Sequence, residues 1–84
     1  MSLKNQRIAH IGEALKNVRI KRKITQEQLS SRCSIPRPYI SMLERGGKRP
    51  KLRIIFSIAD GLGMKASELV KEIEEYLIEY SYVS

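Results

Sequence analysis

The chain has 84 residues, with 16 Lys and Arg against 9 Asp and Glu and a formal net charge of +7. That length supports one small domain with a modest core, no apolar run approaches the roughly 20 residues that cross a bilayer, and the amino terminus lacks the charged-then-apolar order of a secretory signal. The expectation is a soluble, cytoplasmic protein with no membrane partner, whose lone cysteine, Cys33, forms no internal disulfide and packs as a small hydrophobe rather than acting as a redox sensor.

In chain order, the first expected element is a helix from about Asn5 to Lys21, where Ile8, Ile11, Leu15 and Val18 step three and four apart along one face. Gly12 lowers helix propensity there, so close helix packing explains it better than any chemistry. Thr25 opens a second helix as a capping box: its hydroxyl accepts from the Gln28 amide while the Gln28 side chain reaches back to the Thr25 amide. This helix ends near Cys33. Before the third, Pro36 and Pro38 flank Arg37, and a residue preceding proline is pushed out of the α region. Arg37 is therefore expected at the cap, with Pro38 as the first helical residue. Ile40 and Leu43 face inward from this helix, and Gly46 supplies a left-handed stop.

A basic loop from Gly46 to Pro50 leads to a fourth helix from about Lys51 to Leu62. Its inner face is Leu52, Ile55, Ile58, Ala59 and Leu62, Gly63 ends it, and Ile54 and Phe56 point away from that stripe. A fifth helix from about Ala66 to Tyr80 carries Leu69, Val70, Ile73, Tyr76, Leu77 and Tyr80, more apolar surface than one side of so small a core needs. The alternation Ile78, Tyr80, Tyr82 also fits a short strand. The expected fold is all-α, with five helices in a compact arrangement.

Thr25 to Gly46 is the segment that speaks to function. Two short helical patterns flank a tight connection, with Leu29, Cys33, Ile40 and Leu43 on one side and Gln26, Arg37, Tyr39, Ser41 and Met42 on the other. That is a helix-turn-helix arrangement, whose second helix can lie in a DNA major groove. Charge agrees with it. Residues 1–64 hold 14 of the 16 basic side chains against four acidic ones, a balance of +10, and residues 65–84 hold two against five, a balance of −3. A basic body suits phosphates and an acidic tail suits a protein partner. Enzymatic readings find little support: His10 has no partner at metal spacing, Gly46 and Gly47 do not open a phosphate loop, and the carboxylates of the fifth helix read as solvated charge. No metal, cofactor or catalytic residue is expected.

Across roughly Ile11 to Leu69 the chain resembles the Xre family of DNA-binding domains, the Cro and lambda-repressor type. The resemblance is carried by Arg19 in the first helix, TQEQL opening the second, YISMLERG in the third, the basic loop ending at Pro50, and IADGLG followed by SEL, all in register. Within the family it is most similar to the controller proteins of restriction-modification systems, through its length, its RPYIS segment and the lack of a second domain. Pro36 and Lys51 depart from the family pattern, leaving the third and fourth helices without a side-chain acceptor at their starts.

The resemblance implies a lambda-repressor-like fold over residues 1–84 as one domain, with about 65–84 forming a dimerisation helix and tail. It implies that Gln26 anchors a phosphate, that Arg37 contacts a base, its planar fork matching O6 and N7 of guanine, and that Arg19 and Glu44 form a structural ion pair which keeps Glu44 off the DNA. Ser41 and Met42 join Arg37 as base-contacting candidates. Tyr39, Arg45, Lys48, Arg49 and Lys23 are phosphate candidates, and Ile54, Phe56, Ile73, Tyr76, Leu77 and Tyr80 are candidates for a dimer interface. The expected function is a homodimeric, sequence-specific regulator of transcription on a palindromic site in double-stranded DNA, with RNA polymerase as a partner if it activates. The alternative is an antitoxin that binds a toxin protein through its tail and autoregulates its operon.

Overall fold

A computed structural model describes residues 10–83, with side chains through Glu79. Among them are five helices and no strand: α1 (Ile11–Lys21), α2 (Gln26–Cys33), α3 (Arg37–Glu44), α4 (Leu52–Gly61) and α5 (Ala66–Val83). The all-α expectation holds, and the Ile78–Tyr82 alternation forms the last turns of α5 instead of a strand. The expected helical positions Asn5 and Ile8 lie outside the described residues, as does the side chain of Tyr80.

Helix α1 packs on α3 and α5, α2 on α3 and α4, and α4 on α5. Leu15, Val18, Leu29, Ile40, Leu43, Ile58, Leu62 and Leu69 fill the space between them, each full burial contributing about 1.5–3 kcal/mol. Gly12 lies where α1 crosses α3. A Cβ there would overlap the Leu43 carbonyl oxygen and stand 2.9 Å from the Leu43 carbonyl carbon, so the two backbones are in contact, as the sequence suggested. At the surface Arg22 meets Glu72 at 3.1 Å and the Tyr76 hydroxyl donates to Glu13 at 2.8 Å, both joining α5 to α1.

Three helices end alike. The amides of Lys23, Gly46 and Gly63 donate to the carbonyls of Ile20, Leu43 and Asp60, and the amides of Ile24, Gly47 and Met64 to those of Arg19, Met42 and Ala59. Each first-named residue is left-handed, with φ of 57°, 80° and 72°, which satisfies carbonyls the helix end leaves orphaned. Lys23 alone of the three carries a Cβ, and that conformation costs an ordinary side chain about 1–2 kcal/mol. After allowing for the greater entropy glycine loses on folding, Lys23→Gly is expected to stabilise the fold by about 0.5 kcal/mol. A lower urea midpoint for the variant would contradict this.

Two assignments from periodicity need correction. Leu52 shares the direction of Ile55 and Ala59 but is 69% exposed, because as the first residue of α4 it stands at the open end of the stripe. Ile54, expected to point away, is half-buried against the core. The larger correction concerns α5. Ile73 is 6% exposed and belongs to the protomer's own core, which leaves little of it for a seam; Tyr76 and Leu77 are half-buried against that core, and among the described side chains of α5 the exposed large apolar ones are Val70 and Ile78. An apolar face wider than its cover does not reveal from sequence which strip is covered.

Candidate nucleic-acid interface

The turn between α2 and α3 is fixed by local bonds. Ser34 is left-handed and donates its amide to the Ser30 carbonyl, while the Ser30 hydroxyl donates to the carbonyl of Ile35, which is itself buried. The capping box at Thr25 is complete, with Gln28 N to Thr25 Oγ1 at 3.0 Å and Thr25 N to Gln28 Oε1 at 2.8 Å. Helix α3 starts one residue earlier than expected. Pro36, extended at ψ 138°, is the cap, and its carbonyl accepts from the amides of Tyr39 and Ile40. Arg37 is therefore the first helical residue and Pro38 the second. The restriction on a residue before proline disfavours the helical region without forbidding it, and an amide at either position would find no partner within the helix.

From that start, Ile40, Leu43 and Glu44 turn inward, while Arg37 and Met42 are exposed and Ser41 is half-buried. Arg37, Pro38, Ser41, Met42 and Arg45 line one shallow hollow of about 300 Å³. Arg45 thus stands at the far end of the Arg37 and Ser41 row, where its Nε donates to the Ser41 carbonyl at 3.2 Å. A second hollow, of about 370 Å³, is lined by Arg19, Thr25, Gln26, Glu27 and Arg37. Arg37 borders both, so the starts of α2 and α3 open on a common surface.

Beneath this surface lies a charged network. Arg19 and Glu44 are each 8% exposed; Arg19 Nε donates to Glu44 Oε2 at 2.7 Å and Nη2 to Oε1 at 2.9 Å, and Nη1 donates to the Ile24 carbonyl at 2.8 Å. The expected ion pair is present, in the bidentate form that planar guanidinium favours. Unforeseen is a third donor, Gln26 Nε2, which bonds Glu44 Oε1 at 2.8 Å. No local signal could show it, since the two residues are 18 apart in sequence.

Tyr39 is half-buried against the core, and the Lys48 ammonium lies 5.4 Å from its ring centroid, a cation–π contact that holds the basic loop over α3. Arg49 and Lys23 are exposed. Cys33 is half-buried rather than buried; desolvation pushes its thiol up, against smaller lowering by hydrogen bonds from the Ile35 and Cys33 amides, which leaves less thiolate for redox chemistry. Among the described residues no group of His, Cys, Asp and Glu could hold a metal, and no helix is long and apolar enough to cross a membrane.

A helix-turn-helix family model matches residues 15–69, spanning both hollows and the network beneath them. The chain belongs to the helix-turn-helix family, of the Xre type. This is a family of DNA-binding transcriptional regulators, not of enzymes. Among relatives, the immunity repressor protein of Bacillus phage phi105 is 34% identical over 74 residues, covering 84% of this chain and 51% of that protein. The chain spans about half the length of that repressor. Control protein C.BamHI of Bacillus amyloliquefaciens is 33% identical over 60 residues, covering 70% of this chain and 74% of its own. Among solved structures, the clp gene regulator ClgR from Corynebacterium glutamicum superposes with a TM-score of 0.76 at 25% identity, covering 90% of this chain and 80% of that one. The restriction-modification controller protein C.Esp1396I gives 0.76 at 21% identity over 86% and 95% of the two chains, and so shares the fold.

Proposed function

We propose that this regulator binds a palindromic site in double-stranded DNA as a homodimer in the cytoplasm, reading bases with Arg37, Ser41 and Met42 and gripping phosphates with Gln26, Tyr39, Lys23, Lys48 and Arg49. The observation that carries the reading is the single exposed surface formed by the starts of α2 and α3, with Arg37 bordering both hollows. Arg45 lies at the boundary, within reach of the hollow and next to the basic loop. Relatives named as a phage immunity repressor and a control protein support a role in controlling expression of a neighbouring gene. None of the relatives named above is described as an antitoxin.

Selection of bound duplexes from a random library tests the proposal. The expected product is a palindrome whose half-sites lie about 34 Å apart, one turn of DNA; a library that shows no enrichment would sink it. On the selected site Arg37→Ala is expected to cost about 1–3 kcal/mol and to relax one base position per half-site. Equal losses on selected and random duplexes would reduce Arg37 to a phosphate contact.

With Ile73 in the core, the proposed seam moves outward to Leu52, Phe56, Val70 and Ile78, joined by the half-buried Ile54, Tyr76 and Leu77. These side chains come from α4 and α5, away from the Arg37 surface in sequence, where a two-fold axis would bring them against their own copies. Phe56→Glu is expected to give a folded monomer at low micromolar concentration, because Phe56 is already 58% exposed within the protomer. An unchanged sedimentation coefficient would remove α4 from the seam.

A further inference from the structure

We infer that Glu44, clamped by Arg19, is a positioning residue for DNA binding: it turns the Gln26 amide nitrogen-first toward itself, so that the second Nε2 hydrogen and the first-turn amides of α2 face one backbone phosphate. The inference rests on the DNA-binding function proposed above.

A glutamine amide is ambivalent, with an oxygen that accepts and a nitrogen that donates twice. A phosphate oxygen accepts only, so it needs the nitrogen. A carboxylate also accepts only, and Glu44 Oε1 sits 2.8 Å from Gln26 Nε2. The flipped amide would oppose two oxygens there, so Glu44 selects the nitrogen-inward orientation. One Nε2 hydrogen is spent on Glu44 and the other remains at the rim of the hollow that Gln26 shares with Arg19, Thr25, Glu27 and Arg37. Thr25 Oγ1 takes the Gln28 amide, while the amides of Gln26 and Glu27, at the first two helical positions, have no acceptor within the helix. A phosphate placed there meets three N–H groups and the positive end of α2.

The bond matters to Gln26 more than to Glu44. Both Glu44 oxygens already accept from Arg19 in the bidentate pair, and a half-buried amide could turn to water instead. Fixing a long side chain before DNA arrives removes part of the rotamer entropy that binding would otherwise cost. The scaffold ion pair thereby sets the geometry of a phosphate contact it does not itself make.

The test uses a short random-sequence duplex, since a phosphate contact is independent of base sequence. Gln26→Ala in the parent protein is expected to weaken binding about 10- to 100-fold, the value of one hydrogen bond to a charged partner. In an Arg19→Met, Glu44→Leu double variant, which keeps volume but offers Gln26 no acceptor, binding is expected to be already weakened, and Gln26→Ala should then cost clearly less than in the parent. An equal Gln26→Ala loss in both backgrounds overturns the inference. So does no loss in the parent, while affinity for the selected site that still falls on changing Arg37 would keep the function proposed above intact; a parent that binds no duplex at all would sink that function itself. A readout independent of variant folding is the Gln26 side-chain amide resonance pair in the parent. One proton should exchange slowly in the free protein and the other should shift on titration with duplex. Two protons that behave identically in both states overturn the inference.

Discussion

Gly12→Ala is expected to destabilise the protein strongly, despite adding a better helix former. The substitution gains about 1 kcal/mol of helix propensity. Against that, the new methyl group would overlap the Leu43 carbonyl oxygen and stand 2.9 Å from Leu43 C and 3.3 Å from Glu44 C. Every one of these neighbours is backbone, so no side chain can rotate away, and α1 and α3 must separate along their crossing. Ordinary overpacking costs about 1–3 kcal/mol, and a clash with a helix backbone should exceed it, at about 4 kcal/mol or more. A domain of this length has roughly 4–13 kcal/mol in total. Urea unfolding followed by circular dichroism checks the expectation, and a midpoint within experimental error of the parent would refute it.

Glu44→Ala is expected to be the next most damaging change, costing about 3–5 kcal/mol by leaving the buried Arg19 guanidinium with only the Ile24 carbonyl as partner. The Arg19→Met, Glu44→Leu pair should recover more than half of that loss, because the expensive feature is the stranded charge and not the absence of the pair. The remainder reflects the Ile24 carbonyl and the Gln26 amide, which the apolar pair leaves unserved. Because both partners are 8% exposed, the loss should change little between low and high salt, unlike that of an exposed pair such as Arg22 and Glu72. A Glu44→Ala cost below about 1 kcal/mol would show that water reaches Arg19.

Much of this structure was legible in the sequence because its signals are local. The capping box at Thr25, the glycine stops at Gly46 and Gly63, and the periodicities of α1 and α4 are each written within a few residues. The Arg19 and Glu44 pair was legible only through family resemblance, since nothing local links positions 25 apart. What periodicity could not supply was cover. Leu52 has the right phase and no neighbour over it, and Ile73 sits in a face too wide for phase to say which strip is buried. The start of α3 moved by one residue because two opposed preferences, a pre-proline restriction at Arg37 and an extended Pro36 ready to cap, differ by little. Within the candidate site, residue types were readable, whereas the Gln26 bond to Glu44 and the seat of Lys48 over Tyr39 exist only once the helices are assembled.

The division of labour along α3 bears on how such a protein can change. Ile40, Leu43 and Glu44 are committed to the interior, while Arg37 and Met42 are exposed, Ser41 is half-buried, and none of the three belongs to the core cluster. Under the proposed reading, substitutions at those three positions alter the preferred DNA sequence with little effect on folding. Descendants of one ancestral gene could acquire distinct operators by small steps at these sites, each remaining a folded protein throughout.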